Sequence, residues 1–523
     1  MMSSAQKKEV VELPSAFAEK LGQQYAASVS PTHKKERGQF FTPAAIGQFM
    51  ASLLDAPTKP VVRVLDPGCG VAVLACSVVE QLVATAPMVK EIHVLAFETD
   101  DAVLPYAVRA LEHAKAWAAN RGIVVRYEVD TADFVAEYGR LLTPKPLQFG
   151  APEAPAIDIV LTNPPYFKLN KDDARVRLCA PVVDGQANIY ALFLSIAATM
   201  LAPSGQLVCI TPRSFSAGRY FRAFRRYFFG LLAPRHIHLF ASRREAFERD
   251  NVLQETIIMR LERGRDEAPV TVSESAGSRD IAQRRIDRRP LREVLDRTTT
   301  EWMLYLPAGE AEKEVVQLFR GWTGSLDAYG LRISTGPVVA FRTRDYLRSD
   351  EVDAPVTALL WLHNVCAMQV RWPDPRPGKE SYIQVRAETQ RVLQPNRTCV
   401  LLRRFSAKDD KSRLVAAPYL APGVVESEWV GFENKLNYLY RPTSTMPDEE
   451  AVGLAVLLNS KLFDSYFRTF NGNTNVSATE LRNMPLPPLT DIHAIGREVL
   501  DNPTVDTESV ITEIVGLPAI IHE

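Results

Sequence analysis

Two short stretches of this sequence hold residue types whose spacing suits chemistry more than packing. The first is Asp66-Pro67-Gly68-Cys69-Gly70, which follows the apolar run Val61-Val62-Arg63-Val64-Leu65. A strand running straight into a tight glycine turn and then a helix lets backbone approach a nucleotide at the strand's carboxyl end. Alone, the G-x-G spacing equally describes an ordinary strand-to-helix turn. Two acids sharpen it. Glu98 closes the next apolar segment in Phe97-Glu98-Thr99-Asp100, where a carboxylate can accept both hydroxyls of a ribose. Asp133 follows the third, in Asp130-Thr131-Ala132-Asp133-Phe134, where it can accept from an adenine amino group with the Phe134 ring alongside. Taken singly, either acid is more often a helix cap.

The second stretch is Asn163-Pro164-Pro165-Tyr166, after the buried-strand pattern Ile157-Asp158-Ile159-Val160-Leu161-Thr162. Two prolines make a rigid, non-repetitive turn. It holds the Asn163 amide and the Pro164 carbonyl in place and presents the Tyr166 ring beside them. That arrangement suits methylation of a planar amine, whose lone pair is spread into its ring. Two oxygens accepting its hydrogens keep electron density on nitrogen and stabilise the positive charge that develops during attack. An aromatic ring stacks on the base.

These residues must be positioned by alternating elements. Candidate strands are 61–65, 93–98, 123–128, 158–162 and 206–211, with helical patterns between them at 71–85 and 102–120. Alternation of this kind predicts a mostly parallel sheet covered on both faces. Two further strand signals, 237–240 and 252–260, are too close to hold a crossover helix and predict an antiparallel hairpin at the sheet edge. The apolar run 189–202, stopped by Pro203-Ser204-Gly205, reads as a buried helix too short to span a bilayer. Beyond Arg263 the texture becomes polar and arginine-rich, and then mixed in Pro, Arg and aromatics. The fold expected is α/β, a Rossmann-like sheet with an antiparallel edge hairpin followed by a mixed α+β domain. The divisions expected are a helical arm at 1–30, a catalytic domain at 31–300, a second domain at 301–490 and a tail at 491–523.

At 523 residues, 46% hydrophobic and 24% charged, the chain can bury large cores without staples, which excludes a disordered tail protein, a collagen-like fibre and a small disulfide scaffold. A net charge of -1 leaves room for a basic cleft balanced by acid elsewhere. The six cysteines show no C-x-x-C or zinc spacing, so reduced thiols, no metal and a cytoplasmic protein without signal peptide are expected.

On these motifs the sequence resembles the S-adenosylmethionine-dependent amino-methyltransferases that act on DNA adenine. More narrowly it is similar to the group with cofactor motifs first, the NPPY motif next and the target recognition domain last. It is TaqI-like in order and nearer the BsuBI- and PstI-type modification methylases in size. The resemblance implies S-adenosyl-L-methionine as cofactor and double-stranded DNA as substrate, with adenine flipped out of the helix. It implies that Arg37-Gly38-Gln39-Phe40-Phe41-Thr42-Pro43, Thr42 included, lies over the methionine part of the cofactor. Asp66, Gly68 and Gly70 would form its loop, Glu98 would take its ribose, and Asp133 with Phe134 its adenine. Asn163, Pro164, Pro165 and Tyr166 would be catalytic, and Phe247 would stack the flipped base from its other side. One departure is Val71-Ala72, where the family has a small polar residue and a glycine; a slightly tighter helix start is expected, without loss of binding.

In the C-terminal domain basic residues interleave with aromatics, and Arg342, Arg403 and Arg404 are candidates for DNA contact. The implied role is the modification enzyme of a type II restriction-modification system, acting as a monomer, with any cognate endonuclease a separate chain. Three alternatives remain: a protein glutamine methyltransferase, a DNA cytosine-N4 methyltransferase, and a DNA-binding module without catalysis.

Overall fold

The computed structural model describes residues 12–30, 41–143, 155–240, 256–264, 267–307, 309–350, 355–406, 410–421, 423, 426–471 and 475–516. The chain forms two compact units, Met1–Tyr305 and Leu306–Glu523.

The first unit is built on a nine-stranded sheet in the order β3-β2-β1-β4-β5-β7-β6-β8-β9. β1 (Val61–Asp66), β2 (Glu91–Phe97), β3 (Val124–Asp130), β4 (Ile157–Thr162) and β5 (Leu201–Pro212) are parallel neighbours. The order reverses between β1 and β4, so the carboxyl ends of these strands flank a crevice, where ligands of open α/β sheets bind. β7 (Thr256–Arg263) inserts between β5 and β6 (Leu232–Phe240), antiparallel to both. The expected antiparallel pair therefore forms. The sheet then continues past it through β8 (Val270–Ser275) and β9 (Arg285–Arg289). The polar, arginine-rich stretch, for which no strand is expected from sequence, thus supplies the edge strand, and charged side chains there discourage pairing with another chain.

One face of the sheet is covered by α1 (Pro14–Ser28), α2 (Ala44–Ser52), α3 (Val73–Thr85) and α4 (Leu104–Ala119). α3 is buried on nearly every side because the sheet and all three other helices pack around it. The helix expected in the N-terminal arm is present as α1 and docks on this face. Ala18, Leu21 and Tyr25 sit in the core, and Glu80 of α3 accepts from the Ser15 amide (2.6 Å) and hydroxyl (3.1 Å) at the start of α1. A carboxylate there satisfies an amide the helix itself leaves open and meets the positive end of its dipole. The apolar run 189–202 supplies α7 (Ile189–Met200), predominantly apolar and buried except at Thr199, which leads directly into β5. Two short helices complete the site region, α5 (Phe134–Tyr138) and α6 (Ala174–Leu178).

The second unit holds a four-stranded antiparallel sheet (332–335, 436–440, 399–403, 416–419), a five-stranded mixed sheet and a helical layer. Two of its helices, Asp448–Asn459 and Leu489–Asp501, cross at glycines. A Cβ on Gly453 would lie 2.0 Å from the Ile492 carbonyl oxygen, and one on Gly496 1.7 Å from that of Glu449. Only backbone fits on each side, so residues 491–501, read as tail, belong to a closely packed helix.

Candidate functional site

The loops at the carboxyl ends of β1–β4 enclose a cavity of about 270 Å3. Its walls come from five chain segments. Pro67, Gly68 and Gly70 follow β1; Glu98 and Thr99 follow β2; Asp133 and Phe134 follow β3; Asn163, Pro164, Pro165 and Phe167 follow β4; Ile189 and Phe193 come from α7. Phe41, Phe97, Ala132 and Arg175 complete it. Eight of the residues singled out in the sequence therefore meet here: Gly68, Gly70, Glu98, Asp133, Phe134, Asn163, Pro164 and Pro165.

The glycine turn is tight for a physical reason. Gly70 has φ +52°, and a Cβ there would lie 2.9 Å from the Phe41 ring, so the loop needs a residue with no side chain. Ala72 also takes a left-handed φ of 64° at the start of α3, the position where the family pattern has glycine. The departure Val71-Ala72 thus keeps the conformation at a cost in backbone strain of about 1–2 kcal/mol.

The acids differ in how they are held. Glu98 Oε2 accepts from the Gly70 amide (3.1 Å) and Oε1 from the Asp100 amide (2.8 Å), which ties the ends of β1 and β2 together. Burial raises its pKa above the usual carboxylate range. Asp66 is fully buried at the end of β1, and among the described residues neither of its oxygens has a hydrogen-bond partner. Burial pushes its carboxyl from 3.8 up to about 8; the Gly68 and Ala75 amides draw it back without closing full bonds, and Glu98 adds repulsion. Asp133 Oδ1 caps α5 through the Val135 and Ala136 amides (2.9 and 3.0 Å), so the capping role is real, yet the same carboxylate lines the cavity. Phe134 is buried against Phe97 and Phe193, with ring centroids 5.2 and 5.3 Å away.

The proline turn is locked from two sides. Asn163 Nδ2 donates to Thr42 Oγ1 (3.0 Å), so Thr42 orients the amide and does not itself line the cavity. The Tyr166 hydroxyl is shared between Asn163 Oδ1 and the Ile210 carbonyl (3.0 Å). The Tyr166 ring stands edge-on to Tyr190 (6.1 Å), outside the cavity wall. Tyr190 in turn stacks on Phe221 and bonds Ser214, giving the turn an aromatic support.

Phe247 lies outside the described residues. Arg342, Arg403 and Arg404 lie in the second unit. Arg342 is exposed beside Phe341, its guanidinium 5.4 Å from the ring. Arg403 Nε donates to the Val365 carbonyl (2.6 Å) and Arg404 Nη1 to that of Asn434 (3.0 Å), so each holds a loop of its own unit. Arg413, from the same basic segment, is buried and donates to Ser406 and Asn471.

Sequence reasoning missed Arg175, Ile189 and Phe193. The α7 pair carried a signal, because residues four apart share a helix face. Arg175 carried none beyond its type.

In chemical terms the cavity offers backbone at a glycine loop, acceptor carboxylates at two strand ends (Glu98 and Asp133) and aromatic walls, while Asp66 is buried outside its lining. This fits a nucleoside bearing a cationic tail: acceptors meet hydroxyls and an amino group, rings hold the base, and buried Asp66 lacks a positive partner. Among the described residues no cluster of His, Cys, Asp and Glu could hold a metal ion, and no helix is long and apolar enough to cross a membrane.

Comparison with known proteins agrees with this chemistry. Residues 132–247 match the family described as Eco57I restriction-modification methylase. The type II methyltransferase M.PstI of Providencia stuartii is 31% identical over 475 residues, 90% of this chain and 91% of the relative. M.BsuBI of Bacillus subtilis is 32% identical over 472 residues, with the same coverage. Among solved structures, the type IIL restriction-modification enzyme MmeI in complex with DNA shares the fold at a TM-score of 0.50 and 11% identity, over 97% of this chain and 72% of that one.

Proposed function

The chain belongs to the type II DNA methyltransferases of restriction-modification systems, which use S-adenosylmethionine, and from that premise we propose that it methylates the N6 amine of adenine in double-stranded DNA. The observation that carries the proposal is the meeting of Asn163, Pro164 and Pro165 with Gly68, Gly70, Glu98 and Asp133 around one cavity. The bound cofactor supplies an electrophilic methyl on sulfur. Residues of this chain do the rest. Asp66 and the glycine loop hold the charged tail, Glu98 the ribose, and Asp133 the amino group of the cofactor's purine, with Phe134 beside it.

At the turn, Asn163 Oδ1 and the Pro164 carbonyl accept the hydrogens of the target amine. They thereby stabilise the positive charge that grows on nitrogen as its lone pair attacks. Thr42 fixes which end of the Asn163 amide faces the amine, because its hydroxyl already accepts from Nδ2. Tyr166 supports the turn through its hydroxyl and offers its ring to the flipped base. Phe247 is proposed as that base's second face, and Arg342 as a backbone contact in a target recognition domain formed by the second unit.

The test is methyl transfer from labelled cofactor to duplex DNA, followed by digestion to nucleosides and mass spectrometry. N6-methyladenine is expected. Label in N4-methylcytosine, or in protein, would overturn the assignment of the target.

A further inference from the structure

Between β4 and α7 the chain makes an excursion, residues 167–188, whose neck is closed by backbone bonds. Ile189 N donates to the Phe167 carbonyl (3.0 Å), Leu169 N donates to that of Ala187 (3.0 Å), and Lys168 bridges to Asn188. The excursion carries Arg175 to the cavity wall. There its guanidinium is gripped on two sides. Asp173 Oδ1 accepts from Nε (3.0 Å) and Oδ2 from Nη2 (2.7 Å), while Nη1 donates to Asp133 Oδ2 (3.1 Å).

This geometry divides the Asp133 carboxylate. Oδ1 is occupied by the two amides that start α5, and Oδ2 by Arg175. A carboxylate oxygen has two lone pairs, so Oδ2 keeps one more acceptor position with its direction fixed by the guanidinium. We propose that Arg175 is a positioning residue that holds Asp133 as a fixed, acceptor-only group, so that the cavity selects a cofactor purine carrying an amino group at C6 over one carrying an oxo group. The inference rests on the reading of Asp133 as the acceptor of that amino group. The Arg175 guanidinium takes one lone pair of Oδ2 and fixes the direction of the other, and an acceptor facing a 6-oxo oxygen is repelled by it. Asp173 matters because it anchors the guanidinium; the pair holds the Asp173 carboxyl below and the Arg175 guanidinium above their usual ranges.

The experiment is calorimetric binding of S-adenosyl-L-homocysteine and of its 6-oxo analogue, S-inosyl-L-homocysteine, to the full chain. The native protein should favour the amino compound by about 30-fold, the size of one hydrogen bond to a charged group. Arg175→Gln should cut that ratio by about 5-fold or more, mainly by weakening the amino compound. Arg175→Lys should recover part of it, and Asp173→Asn, which keeps an acceptor for its helix, should reproduce the loss in milder form. A packing role alone would weaken both ligands equally, and that result overturns the proposal. So does an Arg175→Gln ratio equal to the native one in a background where Asp133→Asn abolishes discrimination; the reading of Asp133 then survives without Arg175. If Asp133→Asn itself leaves the ratio intact, that underlying reading fails and the proposal with it.

Discussion

Asp66→Asn should stabilise the protein while abolishing cofactor binding, and the size of the gain should depend on pH. The carboxyl is buried at the end of β1 with no hydrogen-bond partner among the described residues, and its pKa stands at about 8 against 3.8 in an open chain. The sign follows from proton counting. Below pH 4 the group is neutral in both states and carries no penalty. Between pH 4 and 8 the unfolded chain releases the proton and the folded one retains it. Stability therefore falls by about 1.4 kcal/mol per pH unit. Above pH 8 both states are ionised and the penalty levels off near ~6 kcal/mol. Asparagine is neutral throughout, so the advantage of the variant should widen by about 4 kcal/mol from pH 5 to pH 8.

For a unit of this size, 1 kcal/mol moves the melting midpoint by about 2 °C, so the two midpoints should separate by a further 8 °C or so across that range. Paired calorimetric scans at pH 5, 6.5 and 8 read this directly. The same shift predicts that the native protein releases a proton on binding S-adenosylmethionine near pH 7, because a cationic ligand favours the ionised carboxylate. Titrations in buffers of different ionisation enthalpy would count that proton. Melting curves that stay parallel between native and variant across pH would refute the reasoning, since they would mean that Asp66 is ionised and partnered in the folded protein.

Asn163→Ala should lower turnover on the order of 100-fold or more while leaving cofactor affinity nearly unchanged, measured by single-turnover kinetics beside calorimetry. Gly70→Ala forces a left-handed alanine and pushes its Cβ toward the Phe41 ring at 2.9 Å; stability should fall by about 1–2 kcal/mol and cofactor affinity with it, read by urea titration and calorimetry. Gly496→Ala places a methyl 1.7 Å from the Glu449 carbonyl oxygen, so two helices must separate, and a loss of about 3 kcal/mol or more in urea-induced unfolding is expected.

The parallel half of the sheet and about half of the cavity wall were legible because both signals are local. An apolar strand is visible in six residues, and its functional turn follows at once, as in Leu65–Gly70 and Leu161–Tyr166. What escaped depends on long-range partners. Arg175 finds Asp133 from 42 residues away, and nothing near it in sequence marks it. The Arg285–Arg289 segment reads as merely polar because its edge strand carries charge, which hides the alternation expected of a strand. The basic segments of the second unit show the same limit. Arg413 looks like Arg342 in sequence, yet one is buried against Ser406 and Asn471 and the other is exposed, a difference to which Asn471, 58 residues away, contributes.

For the acids, structural and chemical readings turned out to be compatible. Asp133 is a helix cap, and the cap is what leaves its second oxygen aimed where a ligand can use it. Asn163 shows the same logic, its nitrogen spent on Thr42 so that the orientation of its oxygen is settled before any substrate arrives. Glu98 bonds one amide in each of the two loops it ties together. Each of these groups is fixed by bonds that do not involve ligand, so little reorganisation remains to be done during reaction, which is how positioned dipoles outperform water. Asp66 is the exception. Without a hydrogen-bond partner among the described residues it stores unfavourable energy in the folded chain, which on the proposed reading a cationic ligand relieves. A site assembled this way separates its tasks: most groups are immobilised in advance for geometry, and one is left unsatisfied for affinity. The pH dependence of Asp66→Asn and the purine selectivity of Arg175→Gln probe those two tasks separately.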